Sequence, residues 1–202
     1  MDMSIPYELT GRTRQKVRTR LALLAATREL LAEGVTPTVE QAADRAAISR
    51  TTAYRYFPNQ RALLAATYPE IEESSLLGAA PPADPGARLE AATERFTQLV
   101  LEHEPELRTQ LRLSLEPIPP ERNALPLRQG RAIGWIRDAL APLREDMPAP
   151  ELDRLVLAIR ATLGIEALVW LTDVAGLSRE QAVEIMRSSA RTLLRSAIAD
   201  GA

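Results

Sequence analysis

The segment Arg50-Thr-Thr-Ala-Tyr-Arg-Tyr-Phe57 concentrates groups that bond to phosphates and to base edges. An arginine fork matches guanine O6 and N7, and a good bidentate pair discriminates by about 1–3 kcal/mol. A threonine uses its hydroxyl, or packs its methyl on thymine. Tyr54 and Tyr56 stand two residues apart, which on a helix sets them on different faces. Both therefore cannot join one core stripe. The plain alternative is a pair of half-buried aromatics.

A second concentration is cationic. Arg12, Arg14, Lys16, Arg18 and Arg20 place five cations within nine residues with no acid among them. They precede and open the first expected helix, where cations oppose the helix dipole. That modest local cost favours an arm lying along phosphates or entering the minor groove over a merely solvated face. Residues 1–61 carry ten Lys/Arg against six Asp/Glu, while the whole chain nets −2. A basic N-terminal quarter on an acidic body suggests two partners, the first of them polyanionic. Lys16 is the one lysine, and the other cations are arginines, whose planar forks suit phosphates and guanine edges.

The composition excludes much else. Without cysteine there is no disulfide scaffold, Cys-zinc site or thiol nucleophile, and one histidine rules out His-pair metal sites. Glu102, Glu104 and Glu106 alternate around a helix junction and do not converge, so paired-carboxylate catalysis is not expected. The expectation is a cytoplasmic protein that is not an enzyme, with no metal, cofactor or membrane partner. No run approaches the ~18 uninterrupted apolar residues of a membrane span.

The elements that position these groups are helical throughout by periodicity. Helices are expected at about 12–33, 39–46, 50–56 and 59–75, then at 87–103, 105–115, 124–144, 151–175 and 179–199. Thr38-Val-Glu-Gln41 and Ser178-Arg-Glu-Gln181 fit capping boxes, and Ser49 caps the third helix. Pro69 should kink the fourth. Gly78–Gly86 is a linker by composition. Two short helices around Ala47-Ile-Ser49 have the geometry of a helix-turn-helix, whose second helix enters a major groove.

The stretch TVEQAADRAAISRTTAYRYFPNQRALL resembles the DNA-binding motif of the TetR/AcrR family of bacterial transcription factors. The likeness is specific over about residues 12–65. Past residue 80 it rests on length, helix count and two long final helices. The resemblance implies that Thr38 caps its helix and touches a phosphate. It implies that Arg50, Thr51 and Thr52 face the groove. Tyr54 and Tyr56 would donate hydroxyls to flanking phosphates, and Arg55 would reach bases or backbone. Phe57 and Leu63 would be core. Two positions depart from the family pattern: Ala47 stands where glycine is frequent, and Gln60 where lysine is. Arg61 is expected to take over that lysine's phosphate contact.

The resulting expectation is an all-α chain of about nine helices. Residues 1–60 form a three-helix helix-turn-helix domain and 61–202 a ligand-binding and dimerisation domain. The eighth helix is apolar over a wide arc, as a helix buried on two sides is. With the ninth it suggests an isologous four-helix interface through Leu168, Val183, Met186, Ala190 and Leu193. Phe96, Arg131, Trp135 and Trp170 are expected to line a ligand pocket, against the alternative of tryptophans in the core and arginines on the surface. The functional expectation is a homodimeric regulator on a palindromic operator, a repressor released by an unidentified small molecule. Pro69 serves as its bend point. The alternatives are a DNA-binding dimer without an effector, a helical enzyme, and a scaffold for a protein partner.

Overall fold

The computed structural model describes residues 7–67, 74–116 and 130–200. Every regular element among them is helical: α1 Tyr7–Ala32, α2 Val39–Arg45, α3 Arg50–Tyr56, α4 Gln60–Ala65, α5 Pro85–Glu102, α6 Glu104–Leu115, α7 Arg131–Ala139, α8 Ala149–Ala161, α9 Ile165–Val169 and α10 Arg179–Asp200. Pro69, the expected bend point, lies outside the described residues. The chain divides into two compact units. The first comprises Met1–Pro69 with Arg112–Leu127, the second Glu70–Leu111 with Arg128–Ala202. The sequence boundary after residue 60 thus falls at the start of α4, which packs with the first unit.

In the first unit, Leu23 and Leu24 of α1 meet Val39, Ala42 and Ala43 of α2, Ala53 and Phe57 at α3, and Leu63 of α4. The alanines let the short helices approach closely. Phe57, 3% exposed, is the largest side chain there, and burial of such a ring contributes about 1.5–3 kcal/mol. Arg45 adds a clasp outside this core, donating to both carboxylate oxygens of Glu33 at 2.9 Å.

The second unit buries one continuous core contributed by α5, α7, α8, α9 and α10. Ala182, Met186, Ala190 and Leu194 recur every four residues on α10, giving the stripe that faces it. Helix α5 starts at Pro85, ahead of the expected residue 87. Asp84 caps it by accepting from the Ala87 amide at 2.7 Å, and proline suits the first helical position.

The long eighth helix expected over 151–175 is not continuous. Gly164 adopts φ +94, where a Cβ would stand 2.8 Å from Arg160 Nη1. Arg160 donates to the Leu163 carbonyl at 2.6 Å, satisfying an acceptor that the break releases. Helix α9 then passes into one π turn, Trp170–Val174. The stretch Ala149–Val174 is long and apolar enough to cross a membrane by length and composition. Val156, Ile159, Leu163 and Leu168 within it are fully buried in the unit's own core, which accounts for that composition.

Candidate nucleic-acid interface

The turn between α2 and α3 is a Schellman closure. The Ile48 amide donates to the Ala43 carbonyl at 2.9 Å and the Ala47 amide to Asp44 at 3.2 Å. Ala47 sits at φ +53, the left-handed region that favours glycine. The sequence departure at this position is therefore a strained residue in an otherwise ordinary turn.

Both capping predictions hold here. The Gln41 amide donates to Thr38 Oγ1 at 3.2 Å, and the Thr38 amide to Gln41 Oε1 at 2.8 Å. Ser49 Oγ accepts from the Thr52 amide at 3.3 Å and donates its own proton to Thr52 Oγ1 at 2.8 Å. Helix α3 turns Ala53 inward at 0% exposure. Arg50, Thr51, Tyr54 and Arg55 are exposed, while Thr52 and Tyr56 are half-buried. Tyr56 packs against the core, so the two tyrosines do part to different faces. The result is a protruding ridge of cation, hydroxyl and ring, anchored by small residues beneath.

Two acids of α2, which sequence reading did not single out, engage this ridge. The Tyr54 hydroxyl donates to Glu40 Oε1. That bond, ahead of smaller contributions from Glu40's own backbone amide and from Thr38, holds Glu40 below the usual carboxylate range. Tyr54 is correspondingly pushed above its ordinary value by the bond to Glu40. Asp44 lies 3.6 Å from Arg50, both side chains being well exposed. Glu40 and Tyr54 stand fourteen residues apart, and only the crossing of α2 and α3 brings them together.

Arg61 departs from expectation. Its Nη1 bonds Glu116 at 2.5 Å, its Nη2 donates to the Leu113 carbonyl at 3.1 Å, and its side chain is 17% exposed. It braces α4 within the first unit and is not presented to a phosphate. Gln60 spends its amide protons on the carbonyls of Thr36 and Pro37, at 3.4 and 3.1 Å. The basic run also differs from an arm. Helix α1 already begins at Tyr7, so Arg14, Lys16, Arg18 and Arg20 stand along it, all exposed. Arg14 and Arg18 share a face by their spacing of four. Arg20 lies over the Phe57 ring at 5.8 Å. The Arg12 side chain lies outside the described residues.

In the second unit the expected pocket residues differ in their surroundings. Phe96 and Trp135 are core, in edge-to-face contact with centroids 5.8 Å apart. Arg131 is half-buried in the first turn of α7. Trp170 is 59% exposed and lines a cleft of about 340 Å³ with Ala161, Glu166, Ala167 and Ile185 among others. The expected dimer residues need a similar correction. Leu168, Met186 and Ala190 are buried in their own core, while Val183 and Leu193 are half-buried. The exposed apolar residues are Leu157, Trp170, Val174 and Ile185, with Ile198 near the end of α10.

Residues 23–67 match the family model described as bacterial regulatory proteins, tetR family. No curated protein matches the chain. Among solved structures, a TetR transcriptional regulator from Rhodococcus sp. RHA1 is 19% identical, with 88% of this chain and 96% of that one covered at a TM-score of 0.58. That likeness extends the shared fold beyond the matched domain, through an all-helical body.

Proposed function

We infer that this chain, whose residues 23–67 carry the tetR-family domain of bacterial regulatory proteins, is a sequence-specific, DNA-binding transcriptional regulator acting as a homodimer in the cytoplasm. The observation that carries the reading is the exposed ridge of α3. Arg50, Thr51 and Arg55 face solvent on a helix whose opposite side, through Ala53, is fixed in the core. Arg50, Thr51 and Thr52 supply base-edge contacts. Thr38, Tyr54, Arg55 and Tyr56, with Arg14 and Arg18, supply phosphate contacts, which set register and affinity.

One short helix reads few base pairs, and a two-fold pair reads a palindrome with half-sites about one helical turn apart. The second copy is drawn to the cleft that Trp170 and Ile185 line. Aromatic and aliphatic groups left in water around a cleft favour burial against another apolar surface. Release of a repressor by a small molecule completes the first reading. The burial of Phe96 and Trp135 against each other favours the second, a DNA-binding dimer without an effector.

A mobility-shift titration of the full chain on the duplex upstream of its own gene, at two salt concentrations, tests the reading. Expected is a dimer-sized complex that competitor DNA of random sequence displaces poorly and that weakens steeply with salt. Absence of binding at low salt, or equal affinity for random duplex, overturns it.

A further inference from the structure

Tyr54 is one of the hydroxyls that the DNA reading assigns to phosphates, and it gives its proton to a carboxylate, Glu40. Each hydroxyl has a single proton, and phosphate oxygens only accept hydrogen bonds. Tyr54 cannot donate to a phosphate while it donates to Glu40. The carboxylate sits in the first turn of α2 and is half-buried beside the ridge, where a phosphate oxygen would have to come. A carboxylate and a phosphate are both anionic acceptors with similar appetite for a hydroxyl proton.

We propose that Glu40 is a built-in competitor for DNA phosphate: it holds the proton of Tyr54 in the free protein and lowers affinity for DNA of any sequence. The inference rests on the DNA-binding reading above and names a residue that tunes it. Binding then exchanges one hydrogen bond from carboxylate to phosphate, against the repulsion between Glu40 and the incoming anion. The penalty falls on phosphate contacts, which are the whole of non-specific binding, while base-edge contacts of Arg50 and Thr51 lie outside it. A protein searching a long polyanion thereby spends less time on sites that offer only phosphates.

The test uses the full-length protein and fluorescence anisotropy on a short duplex of random sequence at fixed salt. Glu40→Gln keeps the shape and removes the anionic acceptor, and it should raise affinity about fivefold. In a Tyr54→Phe background the same change should gain about twofold or less, because the released proton is absent and only the change in charge remains. Asp44→Asn is the charge control, since it neutralises a neighbouring acid that does not touch the Tyr54 hydroxyl, and it should gain less than Glu40→Gln. Thermal melts with unchanged midpoints place these effects in binding. An unaltered or weaker affinity of Glu40→Gln overturns the proposal. So does a gain that Asp44→Asn equals, or one that persists in full in the Tyr54→Phe background. Failure of the wild-type chain to bind duplex at low salt would remove the DNA reading itself, a separate and recognisable result.

Discussion

The Arg61 guanidinium is turned into its own unit, 2.5 Å from Glu116, a residue fifty-five positions further along the chain. With Leu113 it joins a small cluster in which Leu31, Leu64 and Ala65 are also buried, so the ion pair lies over packed apolar surface. Removing one partner leaves the other poorly solvated. Arg61→Ala should destabilise the protein by about 1–3 kcal/mol in urea unfolding. The slope of DNA affinity against salt should stay at the wild-type value, whereas Arg14→Ala with Arg18→Ala should reduce it by about one for each phosphate no longer neutralised. A reduced slope for Arg61→Ala at unchanged stability would return that residue to the DNA face.

Strain at Ala47 gives a second expectation. A non-glycine residue in the left-handed region costs about 1–2 kcal/mol, and glycine relieves it while adding about 0.4–1 kcal/mol of unfolded-chain entropy. Ala47→Gly should therefore be stabilising by up to about 1 kcal/mol, read as a higher urea midpoint at constant slope. Its side chain is exposed, so the change removes no packing. A lower midpoint would mean that the αL geometry is not what limits this turn.

Much of the first unit was legible because its determinants are local. Thr38 with Gln41 and the Ser49 cap follow from spacings of a few residues, the core position of Phe57 from the family resemblance, and the structure repeats them. Glu40, Arg61 and Glu116 were not legible, since their roles depend on how helices cross and on partners far along the chain. In the second unit the difficulty was a different one. The stretch over α8 and α9 is apolar on several faces, so periodicity identifies burial without saying which residues bury inward. Leu168 and Met186 were placed at an interface and proved to be core, while Trp170 and Ile185 stand in water. The break at Gly164 went unseen because an isolated glycine inside a helical pattern is tolerated as often as it terminates.

The exposed pair Trp170 and Ile185 leads to an expectation about assembly. Both line the same cleft, and a charge at either would be stranded if a second copy covers it. Trp170→Glu with Ile185→Glu should shift the chain from dimer to monomer in sedimentation velocity while the helical signal is retained. Operator affinity should fall at least about tenfold, since the paired half-sites no longer act together. Leu168→Ala, by contrast, should cost about 2–5 kcal/mol of fold stability as a cavity in the core. A dimer that survives the double glutamate change places the second copy elsewhere.

The last expectation concerns acid. Arg108 bonds both Asp173 and Glu104, at 2.6 and 2.7 Å, and Arg179 reaches the same Glu104 at 2.6 Å. This tie fastens the π turn to α6. The Arg108 guanidinium holds the Asp173 carboxyl down to about 2, with the Thr172 hydroxyl assisting. A carboxylate depressed in the folded state contributes stability that is complete above its unfolded value, about 3.9, and that is lost as the pH falls through the folded value. Asp173 is about half exposed, so solvent screening limits the contribution to about 1 kcal/mol or less. Urea unfolding of Asp173→Asn against wild type should thus give a constant small gap down to about pH 5, closing between about pH 4 and pH 2. Glu104 is also lowered and remains in the variant, so both proteins keep losing stability over that range. A gap that stays constant to the lowest pH would show that the asparagine acts through packing or helix propensity, and the ionic tie would then carry no acid sensitivity.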